Sequence, residues 1–373
     1  MDIRDKKGKC HTIEVPKSEA EDVRLLIKRS GLLDPSRSIG KDKERVYIPV
    51  RVQSKKDRLS ILDIVNQYPK SLLTKNMDQT PERSRGKNPY QKIVEMLEST
   101  MNREEIGSLP DRWDMVGDCL ILKSKDIKTM KRASEAYMEV LGARYVLLDR
   151  KGVSGELRNP QYDVINPPED GEWVTEHREG GIVYRLDPRR IMFSSGNVGE
   201  RTKTVSYPEI YPVLPAGTEG EVALDMFAGI GYFSLPLARS DKVAKVIACE
   251  KNPVAYRFLL ENAVNNELGG RILGILGDNR VCLPERIADR IIMGYVGSTR
   301  DYISLALKML REDSGVIHLH DTVPMEVGVS GLYSAIRGIC GKSGWESKLM
   351  DGYRIKWYAP RIEHVVLHLS VNR

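Results

Sequence analysis

One stretch, residues 222–236, restricts the fold of this chain more than any other. Val222, Ala223 and Leu224 form an apolar run that ends at Asp225. Ala228-Gly229-Ile230-Gly231 follows, and an amphipathic segment, Tyr232 to Arg239, resumes. The order is strand, glycine turn, helix. Two residues without a Cβ admit positive φ and close backbone approach, so a ligand can lie against the turn and the helix N-terminus. A second strand-like run, Val246 to Cys249, ends at Glu250. That is about 20 residues beyond the turn, where a Rossmann-like unit carries an acid that binds a ribose diol. A dinucleotide-binding turn would have a third glycine, and Ser234 stands in its place.

The pattern Asp225-x-x-x-Gly229-x-Gly231, followed by Glu250-Lys-Asn-Pro253, resembles the S-adenosylmethionine (SAM) site of class I methyltransferase-like enzymes. The segments after it fit a parallel α/β sheet. Pro253 to Asn265 reads as a helix. Ile272 to Leu276 reads as a strand ending at Gly277-Asp278-Asn279, where a carboxylate can accept from an adenine amino group and the neighbouring amide can bind the ring edge. Ala288 to Val296 reads as a fourth strand, ending at Gly294-Tyr295-Val296, and Gly315 to Asp321 as a fifth. Ligands of open parallel sheets bind at the carboxyl ends of the strands. Tyr295 and His320 are therefore the candidates for catalytic contact, with Asp321 beside them as a further group that could orient substrate or move a proton. Ile355 to Tyr358 and His364 to Val371 read as a closing antiparallel pair. Upstream, Ser194 and Ser195 beside Gly196 could supply hydroxyls or N–H groups, and Arg201 a guanidinium for a carboxylate.

Composition narrows the setting. The chain has 373 residues, 41% hydrophobic and 29% charged, with no apolar run of the about 18 residues that a membrane span requires. Its charged start does not read as a signal peptide, and the expected compartment is cytoplasmic. Five scattered cysteines and six histidines show no metal-ligand spacing, so no metal is expected. Residues 1–100 hold 22 Lys/Arg against 15 Asp/Glu, a surplus of 7, which leaves 6 − 7 = −1 for the remainder of a chain with net charge +6. A basic first third on a neutral remainder suggests a partner with a phosphate backbone.

The N-terminal part reads as small α/β modules. His11 to Val15 and Arg45 to Val52 alternate as strands, and Ser18 to Ser30 reads as a helix opened by a Ser18/Glu21 capping box. Residues 55–87 are polar and basic, with linker composition over 78–89. Helices are expected over 90–99 and 127–141, strands over 113–122 and 145–148, and a basic turn at Gly152 to Gly155 flanked by Arg150, Lys151 and Arg158. Asp163-Val-Ile-Asn-Pro-Pro-Glu169 is similar to a methylase Asn-Pro-Pro-aromatic motif, but Glu169 replaces the aromatic residue and a Pro-rich connection is the simpler account. The expected architecture is α/β: a Rossmann-like, class I SAM-dependent methyltransferase-like catalytic domain over 186–373. It is preceded by two small α/β RNA-binding modules, 1–75 with a basic linker and 76–185.

In combination, Phe193-Ser-Ser-Gly-Asn197, Leu224 to Phe233, Glu250 to Pro253, Gly277-Asp-Asn279 and Asp289 to Val296 resemble the family of tRNA-modifying enzymes that act on guanosine at position 37. Val15-Pro-Lys and Gly31-Leu-Leu-Asp34 look like the small first domain of its members. The family has two branches, the guanine N1-methyltransferases and the wybutosine-pathway aminocarboxypropyl transferases. The first carries Asn-x-Pro at the fourth strand; Gly294-Tyr295-Val296 is similar to the second. The resemblance implies Ser194, Arg201, Glu250, Asp278 and Asn279 as SAM contacts, beside Asp225, Gly229 and Gly231 of the turn already read as part of the site, and the anticodon loop of tRNA as partner. It also implies transfer of a 3-amino-3-carboxypropyl group to C7 of 4-demethylwyosine with release of methylthioadenosine. Guanosine N1 methylation and non-catalytic tRNA binding remain as alternative readings, and the oligomeric state is open.

Overall fold

The computed structural model describes residues 9–75, 77–81, 88–214 and 220–373, and the counts that follow are of these residues. The chain forms two compact units, one ending at Asn88 and the other beginning at Pro89. None of the described helices is long and apolar enough to cross a membrane.

The first unit is a four-stranded sheet with two helices. β1 (Lys9–Pro16) pairs antiparallel with β3 (Arg45–Val52) and with β4 (Leu72–Thr74), and β2 (Gly40–Lys41) adds to the outer edge of β3. Helix α1 (Ala20–Arg29) starts later than its sequence suggests. Glu19 is its N-cap and makes no side-chain bond, because the backbone turns from Pro16 to Glu19 (3.0 Å) before the helix begins, so the expected Ser18/Glu21 box does not form. Residues 55–66, expected as part of a polar connection, form helix α2 (Lys55–Asn66) with a capping box between Ser54 and Asp57. Its basic residues face outward, while Ile61, Ile64 and Val65, spaced as one helical stripe, are buried. Residues 82–87 of the expected linker lie outside the described residues.

The second unit opens with α3 (Pro89–Leu97) and α4 (Arg103–Gly107) and then a four-stranded sheet. That sheet runs β5 (Trp113–Val116), β6 (Cys119–Lys123), β7 (Tyr145–Ser154), β8 (Asn159–Asn166), with β6 and β7 parallel through helix α5 (Ile127–Leu141). Asp126 caps α5, accepting from the N–H groups of Lys128 (3.0 Å) and Thr129 (3.1 Å). The Asn-Pro-Pro segment is the end of β8 and the connection after it. A hairpin, β9 (Thr175–Glu179) and β10 (Ile182–Leu186), and the short helices α6 (Val198–Lys203) and α7 (Tyr207–Ile210) lead to the main sheet.

The main sheet has seven strands. β11 (Glu221–Asp225) is the third strand across, with β12 (Val243–Glu250) and β13 (Ile272–Leu276) on one side. On the other side lie β14 (Arg290–Met293), β15 (Ser314–Pro324), β17 (Ile362–Asn372) and β16 (Glu346–Ala359) in that order. Strands β11 to β15 are parallel, and β16 and β17 are antiparallel to their neighbours. The helices α8 (Ser234–Ala238), α9 (Pro253–Asn265), α10 (Asn279–Cys282), α11 (Ile303–Met309) and α12 (Gly328–Lys342) connect them. The chain leaves β11 toward β12 on one side and returns at β14 on the other, so a crevice opens beyond the end of β11. Residues 76–185 and 186–373 were expected as separate modules. One apolar cluster joins Val116, Ile121 and Leu147 of the smaller sheet to Tyr184, Phe193, Ala223 and Val246.

A buried ion pair crosses the centre of the main sheet. Arg290 on β14 donates to both carboxylate oxygens of Glu221 on β11 (2.5 and 3.1 Å) and to the Tyr211 carbonyl (2.7 Å), and it meets His318 Nε2 at 2.5 Å. Removing one partner leaves the other charge uncompensated in an apolar interior, at a cost of about 3–5 kcal/mol. Glu221→Ala should therefore lower the unfolding free energy of this unit by that amount in urea titrations, with the first unit as an internal reference.

Candidate active site

The ends of four parallel strands meet at one cleft. Gly229, Glu250, Asp278 with Asn279, and Gly294 with Tyr295 line it, following β11, β12, β13 and β14. Their arrangement follows from local chemistry. After β11 the chain turns through Gly229 (φ +57°) and Gly231 (φ +99°), where a Cβ on Gly231 would sit 2.7 Å from the Leu235 side chain. The Glu250 carboxylate accepts from the N–H of Gly229 (2.7 Å) through one oxygen and from that of Asn252 (2.7 Å) through the other. Asn252 in turn caps α9, accepting from Val254 N–H (2.9 Å), and Pro253 takes the first helical position, where no N–H is needed. Burial raises the Glu250 pKa, against the pull of these backbone donors. Each of its oxygens retains a second acceptor direction for a ligand hydroxyl.

At the β13 end, Asp278 caps α10 and is gripped by Arg280 (Nε–Oδ1 2.9 Å) and by Lys251 (Nζ–Oδ2 3.0 Å). The bond to Arg280 holds its carboxyl below the usual range. Asn279 donates to the Met226 carbonyl (2.8 Å), while its own Oδ1, buried, has no partner among the described residues. At the β14 end, the Tyr295 ring stacks on Phe227 at 5.2 Å. The next residue, Val296, has φ +58°, a strained conformation for a β-branched side chain. Arg158, from the expected basic turn between β7 and β8, holds that loop by donating to the carbonyls of Tyr295 (3.3 Å) and Val296 (3.2 Å).

Several expected site residues stand behind the cleft wall. Asp225 is wholly buried, accepts from Ser234 Oγ (2.7 Å) and Phe227 N–H (3.2 Å), and pins the turn from below, and Gly231 does not line the cleft either. Burial pushes the Asp225 carboxyl up to about 6. His320 does not reach the cleft: β15 runs three residues past Asp321 and stays paired with β17 to Pro324, so His320 is a buried mid-strand residue behind Phe233 (4.8 Å). Asp321 is engaged by Arg300 (2.7 Å).

Ser194 and Arg201 do line the cleft, but Arg201 is already occupied. Its Nε and Nη2 bond both oxygens of Glu179 (2.7 and 2.5 Å) and its Nη1 donates to the Ser194 carbonyl (2.7 Å). Burial opposes the ionised form of Glu179, yet Arg201 and His177 hold its carboxyl down to about 2. Among the lining residues that the sequence reading did not assign to the site, or gave as surface, are Arg158, Lys356, Tyr358 and His364. No motif marks them, since they arrive from a hairpin and from the antiparallel strands.

Residues 175–346 match the family model of the TRM5/TYW2 methyltransferase domain, residues 93–166 the TYW2 N-terminal domain, and residues 12–57 the tRNA methyltransferase 5 N-terminal domain. The tRNA(Phe) (4-demethylwyosine(37)-C(7)) aminocarboxypropyltransferase of Pyrococcus horikoshii is 40% identical over 292 residues, which is 78% of this chain and 99% of that protein. This chain belongs to the TRM5/TYW2 family, on its TYW2 branch. The crystal structure of P. horikoshii TYW2 in complex with MeSAdo is 37% identical and superposes with a TM-score of 0.63 over 76% of this chain and 99% of that one. Trm5b from Pyrococcus abyssi, 27% identical, covers 97% of this chain and 99% of its own with a TM-score of 0.65. The fold is thus the α/β, SAM-dependent methyltransferase fold of this family.

The geometry gives two expectations. Glu250→Ala should weaken SAM binding by about 1–3 kcal/mol through loss of charge-assisted bonds, read by calorimetric titration; an unchanged dissociation constant removes Glu250 from the ribose. Asp225 has a folded-state pKa near 6 against a usual 3.8, so the native state favours its protonated form. The stability it contributes is present below pH 4 and lost as pH rises through 6. Between pH 4 and 7 the wild type should lose on the order of 2–3 kcal/mol relative to Asp225→Asn, which lacks this titration, in parallel denaturation series.

Proposed function

We propose that the cleft binds SAM and that the protein transfers its 3-amino-3-carboxypropyl group to C7 of 4-demethylwyosine at tRNA position 37. The donor set fits the cofactor. Glu250 offers two acceptor directions for the ribose hydroxyls, and the partnerless Asn279 Oδ1 and the Asp278 carboxylate edge lie one strand further for the adenine. When bound, SAM supplies a sulfonium whose attached carbons accept a nucleophile, and attack at the γ-carbon releases methylthioadenosine.

The chain's own contribution is positioning. The turn at Gly229 and the Glu250 carboxylate fix the nucleoside, while Tyr295, stacked on Phe227, supplies an aromatic wall against which a base can lie. The observation that carries the choice of reaction is at Gly294. A Cβ there would stand 2.9 Å from the Phe233 ring. The asparagine with which the N1-methyltransferase branch holds guanine at this strand end would have to displace Phe233.

The acceptor is a base of the anticodon loop, and reaching the cleft requires swinging it out of the stack, at a cost of a few kcal/mol. Phosphate contacts offset that cost, and the surplus of 7 basic residues within 1–100 is their source. Binding of tRNA should accordingly weaken steeply with salt.

The test is a product assay with labelled SAM and tRNA carrying the precursor base. The expected outcome is an aminocarboxypropylated nucleoside and one equivalent of methylthioadenosine. S-adenosylhomocysteine together with N1-methylguanosine would transfer the assignment to the other branch, and tight tRNA binding without turnover would make the protein a binding module.

A further inference from the structure

The last two strands of the main sheet end in a hairpin that stands at the mouth of the cleft. Its first strand, β16, is an edge strand paired only with β17, and the register between them slips between Leu349 and Asp351, between Arg354 and Lys356 and between Trp357 and Ala359. Bulges on an edge strand turn it away from further pairing and re-aim side chains. At the last slip Trp357 lies opposite Glu363 and Ala359 opposite Ile362, which leaves Tyr358 with no residue across from it. Tyr358 lines the cleft and is still 48% exposed, so its ring belongs to the mouth rather than the floor. Trp357 beside it, 49% exposed, does not line the cleft and packs under the Arg354 guanidinium at 4.6 Å. The hairpin closes through Pro360 and Arg361. Arg361 takes φ +60°, a conformation that favours glycine, and its side chain is 76% exposed, with Glu326 no nearer than 3.9 Å.

The mouth is also cationic. Lys356 lines the cleft two residues before Tyr358, and its ammonium is disfavoured first by burial and then by the positive charges of Arg201, Lys123 and Arg158, which Asp114 opposes only in part. A half-exposed aromatic ring among cations is the combination that holds single-stranded nucleic acid, because bases stack on the ring and phosphates meet the charges. Tyr295 follows β14 and Tyr358 ends β16, with β15 and β17 between them, so three strand spacings put the two positions about 14 Å apart. One base held between both rings would need them about 7 Å apart, twice the stacking step of about 3.4 Å. The two rings therefore serve two bases. Everting one base of a loop strips a stacking partner from its neighbour, and a second ring at the mouth replaces it.

We propose that Tyr358 stacks on a base next to the everted nucleotide of the anticodon loop, with Arg361 at the hairpin tip on a nearby phosphate. The inference rests on the reading that the substrate is a base of that loop, and it makes Tyr358 a positioning residue, which holds the loop open without touching the reacting atoms.

The experiment is a double-mutant cycle between protein and RNA, read in tRNA dissociation constants of the full chain. Wild type and Tyr358→Ala are each titrated with intact tRNA and with tRNAs that carry an abasic nucleotide immediately 5′ or immediately 3′ of position 37. Tyr358→Ala should weaken intact tRNA by about 5- to 100-fold, and Tyr358→Phe should restore it. On one of the two abasic tRNAs the loss from Tyr358→Ala should shrink to less than about 2-fold, since the ring and the missing base act as a pair. Arg361→Gln should lower the slope of log affinity against log salt by about 1, and Tyr358→Ala should leave that slope unchanged. Trp357→Ala, on the face turned from the cleft, should bind tRNA as the wild type does. Equal losses from Tyr358→Ala on all three tRNAs, no loss on any, a matching loss of SAM affinity, or an equal loss in Trp357→Ala each overturns the stacking role and leaves the transfer reading intact. A wild type that binds tRNA and SAM without forming product overturns the transfer reading while the cycle still decides the role of Tyr358, and one that binds no tRNA overturns both.

Discussion

The Glu250 carboxylate is the joint on which the cleft depends. One oxygen holds the glycine turn after β11 and the other the N-cap of α9, so two loops that arrive from different strands are fixed to one charged group. The constraint propagates along α9. Asn262 bonds the backbone of Arg185 in both directions (2.7 and 3.2 Å) and Asn266 does the same to Val183 (2.8 Å each), which docks β10 onto the helix as an extra strand would be docked. β10 carries its hairpin partner β9, whose last residue, Glu179, grips Arg201. Arg201 holds the Ser194 carbonyl, and the Ser194 hydroxyl meets Lys356. A series of satisfied polar contacts therefore runs from Glu250 at one end of the cleft to Lys356 at the other. A buried carboxylate costs free energy unless it is fully bonded, and in this chain its bonding partners are the loops that line the cleft.

What the sequence reveals and what it conceals follow from range. Parallel α/β folding delivers every strand end to one edge, so Gly229, Glu250, Asp278, Asn279 and Tyr295 can be read as neighbours from the order of strands and turns alone. The rule fails where a strand does not end at that edge. His320 and Asp321 read as the terminus of β15, but pairing with β17 extends it to Pro324 and turns His320 into a core residue, while His364, near the start of β17, lines the cleft. Antiparallel register decides which face a residue takes, and no local pattern encodes a register set by a partner strand. Arg201 was legible as a cation near the site, but its partner Glu179 lies 22 residues earlier on another element, so its occupancy was not. Helix α2 was missed for a different reason. Its charged residues crowd the first turn, Lys55 to Arg58, and continue the basic run before it, while Ile61, Ile64 and Val65 farther along suffice to anchor it.

A methyltransferase-like fold can direct chemistry to a different carbon of the same cofactor. A sulfonium activates its substituents without help from the protein, so selectivity is a matter of which carbon faces the acceptor. At the β14 end the chain replaces side-chain polarity by backbone shape. Gly294 lets Phe233 close the floor, Val296 accepts a left-handed conformation, and Arg158 and Thr299 hold the resulting loop from two sides. Strain of that kind costs on the order of 1–3 kcal/mol and persists where surrounding contacts over-determine it. The wall around Tyr295 thus lacks an amide that would fix guanine for N1 attack and offers an aromatic face with carbonyls already paired to Arg158. A large, flat tricyclic base suits such a wall, because it gains from stacking on the aromatic face.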